Sequence, residues 1–225
     1  MDVDTAATSS LIKSKHRVRT YGEVNTPPHM VKTMLDLVKD DLEITDRTFF
    51  EPAAGDGNFL TAILKRKLHA IERRIVQRYL GQEALFALAS IYGVELLADN
   101  HADAQAAMLE VFETFCVKHQ IGCGSRTNEH HAAEFLISRN ILQGNTLTAE
   151  DPTGAPLTFS WWHRVKNFPG QVRREPFTLR SLREAAAPPP PKARQKETLF
   201  SMFDEPAVPD YAICRIDHVH RKTHL

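Results

Sequence analysis

The chain has 225 residues, 42% of them hydrophobic, with 28 Lys and Arg against 28 Asp and Glu. That is an ordinary globular composition with room for one domain and a short appendage. The zero formal net charge excludes a strongly basic nucleic-acid coat protein and an acidic disordered chain, and no run approaches the roughly 20 apolar residues of a membrane span.

The N-terminus is polar and lacks the apolar core of a secretory signal. Three cysteines, Cys116, Cys123 and Cys214, show no paired spacing. They predict free thiols in a reducing, cytoplasmic setting and exclude a zinc ribbon. Residues 1–20, rich in Ser, Thr and Lys, read as a flexible arm. Residues 21–184 read as one α/β domain. Met30, Val31, Met34, Leu35, Leu37 and Val38 recur at helical spacing after Pro27-Pro28, where proline suits a helix start. Thr48–Phe50 predicts a buried strand ending in Glu51-Pro52. A helix follows from Gly57–Asn58 through Ile75, and the basic run Lys65, Arg66, Lys67, Arg73, Arg74 and Arg78 reads as its solvated face. Ile91–Leu97 predicts a second strand, Asp103–Phe115 an amphipathic helix, and Asn140–Gly144 a third strand. Strands alternating with helices predict a parallel sheet with helices on both faces. Two extended runs, 158–165 and 171–177, flank Pro169-Gly170 and predict a β-hairpin. Residues 185–225 form a tail. It opens on a stiff linker with four consecutive prolines, continues with an apolar cluster at Leu199–Phe203, and ends near a short strand at Tyr211–Ile216.

Phe49-Phe50-Glu51-Pro52-Ala53-Ala54-Gly55-Asp56-Gly57-Asn58-Phe59-Leu60 carries the most chemistry. An apolar strand ends in an acid, a glycine loop follows, and a helix begins. The crevice beyond the carboxyl ends of such strands is the usual ligand site of open α/β sheets. The loop lacks the Lys and Ser/Thr of a phosphate-cradling loop. It also has Leu60 where a dinucleotide fingerprint has its third glycine. An acid at the strand end repels a pyrophosphate and attracts an amino group. Glu95, closing the second strand, can accept both hydroxyls of a ribose. A cationic amino-acid end joined to a ribosyl end describes S-adenosylmethionine better than NAD. The bland alternative is a tight turn without a ligand.

The E-P-A-A-G-D-G-N-F-L string resembles the cofactor loop of class I S-adenosylmethionine-dependent DNA methyltransferases, specifically the amino-methylating, adenine-N6 group. Tyr21-Gly22-Glu23-Val24-Asn25-Thr26-Pro27 resembles the G-E-x-x-T-P element of the same enzymes, in the right order and spacing. The resemblance covers residues 20–147. It implies a Rossmann-like class I methyltransferase sheet with flanking helices, truncated here and followed by the hairpin and tail. It implies that Tyr21, Thr26 and Pro27 lie at the cofactor's amino-acid end. Glu51, Pro52, Ala53, Gly55, Gly57, Asn58 and Phe59 would form the loop, Glu95 would hold the ribose, and Asn145 would sit beside the adenine, where the family usually has Asp. It implies a DNA methyltransferase in a restriction-modification or phage setting.

The family's catalytic tetrapeptide, a polar residue followed by two prolines and an aromatic, is absent. In its place stands Phe159-Ser160-Trp161-Trp162-His163. Trp161 or Trp162 can stack a base and Ser160 can accept a proton. The same alternation equally suits the packing of a half-buried hairpin strand. The missing tetrapeptide keeps a second reading open, a catalytically inactive cofactor-binding relative serving as an interaction or regulatory module. A methyltransferase acting on another substrate is a third.

Residues 161–196 carry nine Lys and Arg against two Glu, so DNA is an expected partner through 161–183, with a solvated hairpin face as the alternative. A second subunit is a candidate source of DNA recognition. His130, His131 and Glu134 are spaced like metal ligands, yet a helix end without metal is the expected reading. His218 and His220 read as solvated. Residues 195–200, Gln195 to Phe200, resemble a peptide that docks on the bacterial sliding clamp, although folding back of Leu199 and Phe200 on the domain is the favoured reading.

Overall fold

The computed structural model describes residues 13–186 and 211–221. Leu199–Phe203 and the 195–200 segment lie outside the described residues. Three short parallel strands, β1 (Phe49–Glu51), β2 (Ile91–Glu95) and β3 (Ile141–Gln143), form a sheet in the order β1-β2-β3. Phe49 pairs with Ile91 and Gly93 with Ile141, so all three carboxyl ends reach the same edge. The connections are helical, as parallel strands require. The helices in chain order are α1 (Lys15–Tyr21), α2 (Pro28–Asp36), α3 (Lys39–Leu42), α4 (Asn58–Arg74), α5 (Leu80–Ala89), α6 (Ala98–Lys118) and α7 (Asn128–Asn140). An antiparallel unit follows: β4 (Thr158–Arg164), β5 (Gln171–Thr178), α8 (Leu179–Ala186) and, after the undescribed segment, β6 (Cys214–Arg215).

Strand alternation sorts the core. Ile91 points into the helical layer with Leu60, Leu64, Met108, Phe112 and Leu136. Tyr92 and Val94 point the other way, where Leu157, Phe159 and Leu179 meet them. The expectation of helices on both faces is therefore corrected: the second face is covered mainly by the β4–β5 hairpin. Aromatic chemistry explains the substitution. Tyr92 meets Phe159, Trp161 and Phe177 edge-on, at centroid distances of 5.8, 5.6 and 6.1 Å. Its hydroxyl donates to the Ser160 carbonyl at 2.8 Å, and burial pushes the phenol up.

The sequence carries no expectation of α5. α5 is buried almost throughout, from Leu80 to Ala89, so it shows no polar stripe by which periodicity could find it. α7 begins at a Thr127 cap. Residues 13–20 also differ from the expected arm. Ser14 caps α1 by accepting from the Arg17 amide at 3.2 Å, and Gly22 closes it at φ 68°. Residues 211–221 are likewise packed: Ile216 and Val219 enter the helical core. That places His220 at 5.5 Å from the His131 ring and His218 beside Asn128, in contrast to the solvated tail expected.

Lys67 also departs from the solvated basic face expected of α4. It is 1% exposed, and its amine donates to the carbonyls of Ile44, Thr45 and Arg47 at 3.1, 2.9 and 2.7 Å. These bonds shape the turn entering β1. Lys67→Met strips three carbonyls of their donor and is expected to cost about 2–4 kcal/mol in urea unfolding. Burial pushes the Lys67 amine down to about 7 from 10.5. The unfolded chain therefore holds the extra proton between those values, and wild-type stability relative to the Met variant rises as pH is raised from 7 to 10.

Candidate cofactor pocket

A cavity of about 310 Å³ opens at the carboxyl ends of β1, β2 and β3. Its floor is the loop between β1 and α4. The Ala54 amide donates to the Val94 carbonyl at 2.9 Å, which presses the loop onto β2. Gly57 turns the chain into α4 at φ 92°, and a Cβ there would meet the Ala104 Cα at 3.0 Å. Glycine is required at this position by backbone sign and by the approach of α6.

Glu95 ties the parts together. One carboxylate oxygen accepts from the Gly55 amide at 2.8 Å and the other from the Leu97 amide at 3.0 Å. The loop after β1 and the turn after β2 are thereby held at fixed separation, with a buried acid between them. The third wall is the 144–150 turn. A Cβ on Gly144 would meet the Glu150 carbonyl oxygen at 2.6 Å. Asn145 Oδ1 accepts from the Leu147 amide at 2.8 Å, Thr146 Oγ donates to the Pro52 carbonyl, and Arg183 donates to the carbonyls of Thr146 and Leu147. Leu147 is left 87% exposed at the rim.

The fourth wall is the segment after α1. Glu23 accepts from Arg17 and from Asn100 Nδ2, the latter at 3.0 Å, and these bonds hold its carboxyl below the usual range although burial opposes them. Arg17 also bridges to Asp99, and Lys13 to Asp103 at 2.6 Å. Asn25 donates to Asp56 at 3.1 Å. The cavity thus has three carboxylates, Glu23, Asp56 and Glu95, and no Lys, Arg or His among its described lining residues. Asn100 is 1% exposed, and its Oδ1 has no hydrogen-bond partner among the described residues. Phe59, Leu96 and Leu147 add apolar surface.

Of the residues expected from sequence, Thr26, Pro52, Ala53, Gly55, Asn58, Phe59, Glu95 and Asn145 line this cavity. Pro27, Glu51 and Gly57 do not line it, and the side chain of Tyr21 lies outside what the structure describes. Tyr21 ends α1, and Pro27 caps α2. Gly57 faces α6. Glu51 lies behind the loop, half-buried, accepting from the Ala53 amide at 3.2 Å, and burial pushes its carboxyl up. Asn100, Asp56 and Leu147 are additions. No short pattern marks Asn100, which reaches the cavity only because α6 starts beside α1.

Ser160, Trp161 and Trp162, the candidates considered from sequence for catalysis, lie away from the cavity and pack within the hairpin and against its neighbours. Ser160 is 1% exposed, and its hydroxyl accepts from Arg174 Nε at 2.8 Å. Trp161 stacks on Phe177 at 4.2 Å and 14°. Trp162 donates to Asn140 Oδ1 at 3.0 Å. Much of the basic tract is also neutralised: Arg164 pairs with Glu83 and Asp46, Arg173 with Glu175 and Arg180 with Glu150. No metal-holding group of His, Cys, Asp and Glu occurs among the described residues. Cys116, Cys123 and Cys214 are free thiols, and the neighbouring Cys116 holds the Cys123 thiol below its usual range.

The comparison with known families settles the class. Residues 29–156, more than half of the chain, match the family described as MmeI, DNA-methyltransferase domain. This chain belongs to the MmeI DNA-methyltransferase domain family. The matched span runs from α2 to the turn before β4, and so contains three of the four cavity walls. The Type II methyltransferase M.BstVI of Geobacillus stearothermophilus is 27% identical over 165 residues, 72% of this chain. The chain spans only 26% of that relative's length. No solved structure matches the chain.

The fourth wall hangs on ion pairs with little apolar support. Asp99→Ala removes a carboxylate shared by Arg17 and Lys13. Trypsin is expected to cut at Lys15, Arg17 and Arg19 several-fold faster in this variant, with the urea midpoint of the rest nearly unchanged.

Proposed function

We propose that the pocket binds S-adenosylmethionine and that the chain is the cofactor-binding part of a DNA adenine-N6 methyltransferase of a restriction-modification or phage system. One observation carries this reading: a nucleoside-sized cavity at the strand ends has three acids, an apolar rim and no cation among its described wall residues. Such a site repels phosphates and favours a ligand with ammonium and sulfonium charges. Glu95 keeps lone pairs free for ribose hydroxyls after its two amide bonds. Asn100 Oδ1 supplies an unmet acceptor near Glu23 for an ammonium group. Phe59, Leu96 and Leu147 offer surface for a flat base, and the Asn145 amide is a candidate partner for its edge.

When bound, S-adenosylmethionine supplies an activated methyl on sulfonium. The chain's own part is to bind, align and exclude water; alignment is worth several kcal/mol in such a displacement. The packing of Ser160, Trp161 and Trp162 leaves the cofactor cavity without a base-stacking residue from the hairpin. That supports two subsidiary proposals. The outer edge of β1 has no strand partner among the described residues, and Phe50 beside it is 40% exposed. A second polypeptide that brings target recognition can use that edge. In the absence of such a subunit, the chain is a cofactor-binding regulatory relative that does not turn over.

Titration calorimetry tests the cofactor site. Micromolar binding of S-adenosylmethionine is expected, with at least a tenfold loss in Glu95→Ala; no binding, or binding unchanged in that variant, contradicts the assignment. Labelled cofactor with mixed DNA separates turnover from binding alone. Glu51 adds a pH signature. Its raised carboxyl protonates earlier than usual as pH falls, removing negative charge from behind the loop that floors the cavity. Affinity is expected to decline on acidification before ordinary carboxylates titrate, and Glu51→Gln is expected to abolish that early decline.

A further inference from the structure

A second cavity, of about 190 Å³, lies between α7, the hairpin and the returning end of the chain, on elements separate from the cofactor pocket. Its charge is opposite. Arg139, Arg174, Arg221 and His220 line it, and none of its described lining residues is a carboxylate. Arg174 is the telling group. Its guanidinium lies 4.2 Å from the Tyr211 ring and 5.5 Å from the rings of Phe135 and Trp162. Its Nε is used by Ser160, while its terminal nitrogens make no hydrogen bond or ion pair among the described residues. Arg139 sits over Phe135 at 5.2 Å and likewise has no ion-pair partner there. The Nδ1 of His220 is shielded from solvent without a hydrogen-bond partner among the described residues. Burial pulls the Arg174 guanidinium down, and Arg139 adds to that.

A half-buried guanidinium without a counter-ion is costly unless an anion completes it. Fork-shaped donors fit phosphate oxygens bidentately, and aromatic walls accept the face of a base. The geometry points to a nucleotide-binding site here, in which Arg174 and Arg139 take the phosphate and the Trp162–Phe135–Tyr211 walls take the base. The nucleotide is either free or part of a single strand. This inference stands apart from the cofactor reading, since the two sites share no residue.

The chain's only tryptophans are Trp161 and Trp162, so the variant Trp161→Phe leaves Trp162 as the sole reporter. The full chain in this background is titrated with dAMP, with deoxyadenosine and with a short single-stranded oligothymidylate, reading Trp162 emission. Saturable quenching by dAMP or the oligonucleotide, but not by deoxyadenosine, is expected. It is expected to weaken at least tenfold in Arg139→Glu, an exposed position that tolerates change, and in Arg174→Gln. Tighter binding of the oligonucleotide than of dAMP assigns the site to a strand, and comparable binding assigns it to a free nucleotide. Absence of quenching overturns the proposal, as does quenching that Arg139→Glu leaves unaltered. A site that responds only after Glu197→Gln, Asp204→Asn and Glu205→Gln overturns it too, in favour of the chain's own acidic segment as occupant.

Discussion

The carboxylate of Glu95 is the constraint on which the rest depends. It closes β2 and accepts from two amides, Gly55 and Leu97, that belong to different turns. Each bond to a charged acceptor is worth about 1.5–3 kcal/mol, and together they fix the spacing of two cavity walls. They also keep a negative charge at the crevice of the parallel sheet. Asp56 and Glu23 extend that charge around the opening. The electrostatic character of the pocket is thus built into its scaffold, and any ligand must be compatible with three acids. S-adenosylmethionine meets that demand, and a pyrophosphate does not.

The remaining architecture positions this edge. Apolar packing between α4, α5, α6 and α7 supports one side of the sheet. Lys67 anchors the turn that leads into β1. On the opposite side the aromatic cluster around Tyr92 fastens the hairpin, and α8 braces the 144–150 turn through Arg183. The hairpin therefore contributes to the pocket indirectly, by holding its third wall, and its own tryptophans are engaged in doing so.

What the sequence made legible follows the range of each signal. The strand–loop–helix of 49–74 could be read because an apolar run, an acid and two glycines lie together and act locally. Glu95 was readable as the acid at the end of an apolar strand. α5 was not, because a helix buried on all sides shows no periodic polar face. Lys67 read as solvent-facing because its acceptors are carbonyls 20 to 23 positions away. The hairpin's alternation was correctly tied to packing, but the choice between packing and catalysis depended on Arg174, Asn140 and Phe177, which only the fold brings together. The α1 strap was missed for a related reason: Arg17 acquires meaning through Asp99, 82 residues on.

The most direct test of the central claim is a crystal structure of the chain grown with S-adenosylmethionine. The account predicts density for the nucleoside in the cavity at the ends of β1, β2 and β3, with its ribose hydroxyls on Glu95 and its ammonium group toward Glu23 and Asn100. A cavity closed by Leu96, Leu147 or Phe59 in the presence of saturating cofactor would contradict it, as would cofactor bound elsewhere on the chain.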